Sequence, residues 1–267
     1  MIYTTPDQLT VIYYTSNWMD DKNPFFIENV RKQLLKATTN PNTGAKLPIV
    51  IVSQKPTLFG DNSVNICVGD IGRSHLNIYK QILTGAKEAK TKYVAMAEDD
   101  ILYTFAHFHN KLPKRGRFLF DMSRWSVFTW SRPPMYSYRK DRRVIHELIV
   151  ERDLLIESLE ERFKRVEYLL ENKILTLQQI ESRWGDPCRY EKDLGVTVRE
   201  PEEFWTASPN VVFSHEMAYG FLNHNVKKLL GDIRAFDIPE FGHIDNVMNL
   251  FYKDGWQNHG VEEYLRK

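Results

Sequence analysis

The stretch Tyr93-Val94-Ala95-Met96-Ala97-Glu98-Asp99-Asp100 passes from five consecutive apolar or aromatic positions straight into three carboxylates. A short apolar run closed by polar residues is the pattern of a strand buried on both faces, as in a parallel sheet. Three adjacent carboxylates at the mouth of such a strand repel one another. The usual compensation is a divalent cation, which accepts hard oxygen ligands and leaves positions for phosphate oxygens. An acidic turn capping the next element would be written with the same letters, so the triplet has to be read with its surroundings.

Upstream, Leu9 to Tyr14 is a β-branched and aromatic run ending in Thr15-Ser16-Asn17, and Pro48 to Val52 is an apolar run ending in Ser53-Gln54. Both read as strands that give way to polar loops. Between them, Asn23-Pro24 supplies an N-cap and a first-turn proline, and Phe26, Ile27, Val30 and Leu34 recur at helical spacing. A two-glycine loop, Gly69 to Ser74, opens a second helix carrying Tyr79, Ile82, Leu83, Ala86 and Ala89 on one face. Strand, helix, strand, helix, strand predicts a right-handed parallel α/β core whose ligand crevice lies at the carboxyl ends of the strands. Thr15 to Asn17, Ser53-Gln54 and the acidic triplet then converge. Arg73, at the start of the second helix, is a candidate partner for a diphosphate with help from the helix N-terminus, and Asn77 lies one turn further on. A surface Arg capping its neighbour would look the same.

These residues resemble the nucleotide-sugar glycosyltransferases of the GT-A fold. The triplet takes the place of that family's Asp-x-Asp motif, with Glu98 first and Asp100 last; Glu in the first position departs from the pattern. The resemblance implies a Rossmann-like mixed sheet flanked by helices. It also implies a bound Mn²⁺ or Mg²⁺ held by Asp100, and nucleotide-sugar contacts from Glu98 and Asp99. It returns near the C-terminus, where Phe241-Gly242-His243-Ile244-Asp245 and the following helix resemble the family's x-Glu-Asp segment. Asp245 then falls on the general base of inverting members, with Ile244 in place of Glu. A carboxylate in a helix's first turn is kept ionised by the dipole, which suits a base and equally a plain cap. His259, three residues after Trp256, falls where the family often has a histidine completing the metal shell. Glu216 in Ser214-His215-Glu216-Met217 is the second candidate base.

Past Tyr103 the pattern changes. Arg117 to Trp130 reads as one or two antiparallel strands, and Val144 to Asn172 as a long helix with a stripe of Leu155, Leu159, Phe163, Val166 and Leu170. Thr176 and Gln179 form a capping box for a short helix ending near Trp184. The core resumes at Phe204, with a strand near Asn210 to Phe213, a helix from about Glu216 to Leu230 and a last helix from Ile244 to Lys253. The organisation expected is a nucleotide-sugar-binding α/β core over 1–140, an inserted helical arm over 141–200, and the C-terminal part of the core over 201–267.

Composition narrows the partners. The 267 residues carry 36 Lys and Arg against 35 Asp and Glu, so the chain as a whole is not a polyanion binder. Its two cysteines, Cys67 and Cys188, are far apart and exclude a disulfide scaffold or a zinc module. No apolar run is long enough to span a membrane and no leader pattern opens the chain, so a soluble cytoplasmic protein of a bacterium or phage-infected cell is expected.

Charge is segregated, however. From Lys111 to Arg143 ten basic residues face only Asp121 and Asp141, and Phe118, Phe120, Trp125, Phe128, Trp130, Tyr136 and Tyr138 are interleaved with them. Cations alternating with rings suit a nucleic-acid acceptor; a strand pair with one buried aromatic face would also account for them. Small bacteriophage glycosyltransferases that modify hydroxymethylated pyrimidines in DNA are similar to this chain in size and motif, and they imply that acceptor. The rivals are a transferase acting on a cell-surface glycan and a non-catalytic nucleic-acid-binding protein. A sugar nucleotidyltransferase is disfavoured, because Ser16 to Pro24 lacks a glycine-rich basic loop.

Overall fold

The computed structural model describes residues 4–138, 140, 142–184, 188–215 and 233–258. The N-terminal half alternates as the sequence predicts: β1 (Leu9–Thr15), α1 (Trp18–Lys22), α2 (Pro24–Ala37), β2 (Ile49–Ser53), β3 (Ser63–Cys67), α3 (His75–Glu88) and β4 (Tyr93–Ala97). There follow β5 (Ile101–Leu102), α4 (Phe105–His109), β6 (Arg117–Asp121), β7 (Arg124–Phe128), β8 (Tyr136–Tyr138) and, after a 3₁₀ turn at Ile145–Glu147, β9 (Leu148–Glu151). The chain continues through α5 (Arg152–Glu171), α6 (Leu177–Trp184), α7 (Glu191–Leu194), β10 (Glu200–Phe204) and β11 (Asn210–Ser214). It then forms β12 (Ile233–Ala235), β13 (Asp237–Ile238), β14 (Gly242–His243) and α8 (Ile244–Phe251).

Seven strands form the main sheet in the order β10-β6-β9-β4-β1-β2-β3. Its pairings are parallel except at β9, which runs antiparallel to both β4 and β6. The fold is therefore mixed α/β, with the parallel core expected and one reversed strand inside it. A second sheet, β12-β8-β7-β11-β5, lies beyond the ends of β4 and β6, and β13 pairs with β14.

Period-two alternation assigns the faces of the main sheet. Ile12 and Tyr14 of β1 point into a core with Tyr79, Ile82 and Ala86 of α3 and Leu155, Leu159 and Val166 of α5. Val11 and Tyr13 point into the opposite core with Leu34 of α2, Phe108 of α4 and Tyr103. A third cluster joins Phe26 and Ile27 of α2 to Phe213 of β11 and to Val247, Met248 and Phe251 of α8. Local signals place the helices: Asn23 Oδ1 caps α2 by accepting from the Phe26 amide at 3.1 Å, and Thr176 and Gln179 bond reciprocally at the start of α6. Among the described residues no helix is long and apolar enough to cross a membrane.

Three expectations change. The helix read from Val144 starts only at Arg152; Leu148-Ile149-Val150 form a fully buried central strand, so residues 141–200 contribute to the main sheet as well as to helices. Arg117 to Trp130 does form two strands, but β6 belongs to the main sheet and β7 to the second one, so they do not pair with each other. The edge strand β3 had no clear sequence signal, because its residues are only half-buried and polar ones alternate with apolar. The last helix ends at Phe251, two residues earlier than read, and the helix expected over Glu216 to Leu230 lies outside the described residues.

Candidate active site

The carboxyl ends of β1 and β4 and the loop before α3 enclose one cleft. Thr15, Ser16, Arg73 and Asn77 line it together with the whole triplet Glu98, Asp99 and Asp100. Tyr14, Trp18, Met19 and His215 also line it, and none of these four was singled out in the sequence.

Each carboxylate of the triplet has a different environment. Glu98 accepts from the Tyr14 hydroxyl at 2.6 Å and lies 3.2 Å from His146 Nδ1. Burial works to raise its carboxyl, but His146 and the Tyr14 hydroxyl hold it below the usual range. Asp99 accepts from the Thr15 hydroxyl at 2.5 Å. Burial, opposed by that hydrogen bond and reinforced by the Glu98 charge, lifts Asp99 to about 6. Asp100 is pushed well above the ordinary carboxylate range by burial and then by the charges of Glu98 and Asp99, and its Oδ1 is buried without a hydrogen-bond partner among the described residues.

His215 is the residue whose placement sequence reading missed. Strand β11 pairs antiparallel with β5, directly after the triplet, and the Phe213 amide donates to the Asp100 carbonyl at 2.9 Å. The end of β11 thus arrives beside the triplet, with His215 Nε2 4.0 Å from Asp100 Oδ2. Burial, then the Arg73 charge, holds the ring at about 4, so it is neutral at neutral pH and can offer a nitrogen lone pair. The available signal was a histidine immediately after a strand, overlooked in favour of its neighbour Glu216.

Other expected contacts turn out to be supports. Asn17 Oδ1 accepts from the Gln54 and Lys55 amides at 2.9 and 2.8 Å, and its Nδ2 donates to Thr57 Oγ1 at 2.7 Å. Asn17 therefore ties the loop after β1 to the loop after β2 rather than facing the cleft. Ser53 is fully buried; its hydroxyl donates to the Lys55 carbonyl at 2.6 Å and accepts from Asn65. Gln54 Nε2 donates to the Gly72 carbonyl at 2.8 Å and Asn77 Nδ2 to the Ile71 carbonyl, so both amides shape the loop before α3. Gln81, absent from the sequence reading, donates to the carbonyls of Thr15 and Val52 at 2.8 and 3.0 Å and binds the two strand ends together. Removing the Asn17 side chain would take this acceptor from the Gln54 and Lys55 amides. Asn17→Ala is expected to cost about 1–2 kcal/mol in a denaturant melt, and a loss below a few tenths would contradict the assignment.

The N-terminus of α3 is not open to a phosphate as expected. The Glu181 carboxylate of α6 accepts from the His75 and Leu76 amides at 3.0 and 3.4 Å, and Ser74 Oγ accepts from Asn77 at 3.1 Å. The helix therefore supplies its dipole to a protein carboxylate, and Arg73 alone carries the cationic part of that expectation. Its guanidinium lies 5.0 Å over the half-exposed Trp18 ring at the cleft mouth.

Asp245 lies in the first turn of α8, outside the cleft lining, and accepts from Trp256 Nε1 at 2.9 Å. Glu216 and His259 lie outside the described residues. The basic-aromatic segment is also reorganised. Lys111, Arg117 and Arg143 pair with Glu202, Glu200 and Glu203 of β10 at 2.5, 2.8 and 3.3 Å. Arg124 is buried, Arg132 donates to the Thr129 and Ser131 carbonyls, and Phe118, Phe120, Phe128 and Tyr136 are core residues.

The raised Asp99 carboxyl makes a signed prediction. The folded state holds that proton more tightly than the unfolded chain, whose Asp titrates near 3.9. Its contribution is present below about pH 4 and is lost as pH rises through about 6. In chelator, Asp99→Asn should melt higher than the parent protein at pH 8 and no higher at pH 4; equal shifts at both pH values would contradict this.

No family model matches the chain, and no curated protein matches it in sequence. Among solved structures, the crystal structure of S. aureus TarS 1-349 in complex with UDP-GlcNAc is similar to it, with 12% sequence identity and a TM-score of 0.42. The likeness covers 82% of this chain and 62% of that one, so the chain spans less than two thirds of its length.

Proposed function

We propose that the protein is a metal-dependent glycosyltransferase that moves a sugar from a nucleotide-diphospho-sugar to an acceptor hydroxyl. The observation that carries this reading is the acidic triplet: three partly buried carboxylates at the carboxyl end of β4, one with an oxygen that has no hydrogen-bond partner among the described residues. Such a site is short of positive charge, and the adjacent neutral imidazole adds a ligand type that suits Mn²⁺. Asp100 and His215 would hold the ion, with Asp99 beside them. When bound, Mn²⁺ or Mg²⁺ supplies the positive charge that stabilises a departing diphosphate.

The remaining groups are placed for the donor. Glu98, kept ionised and gripped from two sides, offers an acceptor for nucleotide hydroxyls. Arg73 brings a cation to the mouth, where the diphosphate would lie, and Trp18 offers an aromatic surface next to it. Asp245, Glu216 and His259 have no part in this reading: the first lies outside the cleft lining and the others outside the described residues.

For the acceptor, we take a saccharide hydroxyl ahead of a hydroxymethylated pyrimidine in DNA as the first to test. Ion pairs to β10 engage Lys111, Arg117 and Arg143, and Phe118, Phe120, Phe128 and Tyr136 are buried, which leaves less of the basic-aromatic face on which the DNA reading rested.

The test is to incubate the protein with Mn²⁺ and UDP-, GDP- and dTDP-sugars, and to measure nucleoside diphosphate release without acceptor, with oligosaccharides, and with duplex DNA containing 5-hydroxymethylcytosine or 5-hydroxymethyluracil. Mass gain on an oligosaccharide supports the reading, whereas mass gain on DNA restores the nucleic-acid acceptor. Absence of any metal-dependent release overturns the transferase assignment.

A further inference from the structure

The main sheet ends in two edges of opposite character. On one side β10 reads Glu200-Pro201-Glu202-Glu203-Phe204. A proline and three carboxylates, the latter ion-paired to Arg117, Lys111 and Arg143, deny that edge to another strand. On the other side β3 reads Ser63-Val64-Asn65-Ile66-Cys67, with neither a charge nor a proline. Sheet edges are ordinarily guarded by such residues, and β3 has none.

The direction of its backbone groups follows from the register. β3 runs parallel to β2, with Ser63 beside Ile49 and Cys67 beside Ser53. The Ile49 amide donates to the Asn62 carbonyl at 3.0 Å and the Val68 amide to the Ser53 carbonyl at 2.8 Å, so the even-numbered residues from Asn62 to Val68 turn their backbone toward β2. The N–H and C=O of Ser63, Asn65 and Cys67 therefore point outward, and they have no hydrogen-bond partner among the described residues. Apolar side chains flank them on both faces. Val64 shares the α3 side with Ile66 and is 52% exposed. Leu58 is 70% exposed on the other side, next to Thr57, whose amide donates to Asn65 Oδ1 at 3.1 Å.

We infer that β3 is the surface through which two copies of this chain associate, paired antiparallel about a two-fold axis at Asn65. In that register Ser63 faces Cys67 of the second copy, Asn65 faces its own counterpart and Cys67 faces Ser63. Every one of these pairs consists of outward-pointing residues and exchanges two N–H···O=C bonds. Val64 lies opposite Ile66 of the second copy, and the ladder contains no charge to be repelled. The strand is complementary to itself, as a two-fold interface requires. A head-to-tail arrangement, β3 against β10, would instead set the ladder against Pro201, which has no N–H, and against three glutamates. In the two-fold pair the strands of the two copies run in opposite directions, so the two clefts open at opposite ends of the joined sheet.

A ladder of five residues is a small interface, so monomer and dimer are expected to exchange at about 10–100 μM. Sedimentation velocity across that range, from about 1 to about 500 μM, should show the mass rise to twice that of the chain. Over the same range, residue-resolved amide exchange by NMR should slow at Ser63, Asn65 and Cys67, while Val64 and Ile66, already bonded to β2, change little. Val64→Lys, at an exposed position, should weaken association about tenfold by placing a charge in the joint. Ser63→Cys should form a disulfide with Cys67 of a second copy under mild oxidation with copper phenanthroline. The parent protein should not, because its two Cys67 residues would lie about 13 Å apart along the paired strands.

A monomer at the highest concentration overturns the proposal and leaves the edge to an extended segment of another protein. A dimer whose amides at Ser63, Asn65 and Cys67 exchange as in the monomer, or whose Ser63→Cys form stays uncrosslinked, joins through another face and overturns it equally. Neither result depends on the folding of Val64→Lys.

Discussion

Asp100→Asn is expected to lower metal-dependent sugar transfer on the order of 10³-fold while raising the melting temperature of the metal-free protein. The two signs come from one cause. Asp100 is partly buried, feels the charges of Glu98 and Asp99, and has a buried oxygen with no hydrogen-bond partner among the described residues, so its ionised form opposes folding in the absence of a cation. Asn keeps the shape and removes the charge. The same substitution removes a hard anionic ligand from the place where the diphosphate charge would have to be met. A structural carboxylate would behave differently, losing stability with any activity lost. Activity within tenfold of the parent, or a lower melting temperature, would remove Asp100 from the centre of the proposal.

Gly85→Val is expected to be the most destabilising substitution in the core, costing about 3 kcal/mol or more. Gly85 is where α3 crosses the sheet: a Cβ there would lie 2.5 Å from Ile12 Cγ2 and 3.1 Å from Val52 Cγ2. Those methyls sit on β-branched side chains of β1 and β2, one bond from Cβ, so rotamer changes cannot clear the space and the helix must lift from the strands. Ser74, Asn77 and Gln81 ride on or cap that helix, so the cleft should loosen along with the core. At roughly 2–4 °C per kcal/mol for a chain of this size class, a melt should show a drop near 10 °C, with nucleotide binding weakened in parallel. A change of less than 2 °C would mean that α3 can shift at little cost.

The sequence made the triplet and its strand readable because their chemistry is local: five apolar residues, then three acids, with helices marked by Asn23-Pro24 and Ser74. It also brought Thr15, Ser16, Arg73 and Asn77 to the right end of the sheet, because parallel strands share one carboxyl edge. What it hid depended on pairing at long range. Leu148-Ile149-Val150 is an apolar run too short to tell strand from helix, and the helical stripe that follows in α5 drew it into the wrong element. His215 stands beside Asp100 only because β11 pairs with β5, more than a hundred residues away in sequence. The excess charge of Lys111 to Arg143 is answered by Glu200, Glu202 and Glu203, on a strand whose partner was not legible from local pattern. Asn17, Ser53 and Gln54 were placed at the right strand ends; that their side chains brace backbone instead of facing the cleft is a matter of rotamer and burial.

The reversed strand also bears on how the chain is made. A ribosome releases β1 to β4 about fifty residues before β9, which at cellular elongation rates leaves the outer edge of β4 open for roughly 3–10 s. During that interval the backbone of Tyr93, Val94 and Ala95 is an unpaired template at the edge of a hydrophobic half-sheet, the kind of surface that chaperones shield. Emergence of Leu148 to Glu151 ends the exposure by covering that edge, and the same event seats His146 against Glu98. Protection of the nascent chain and completion of its binding cleft are thus a single step in synthesis.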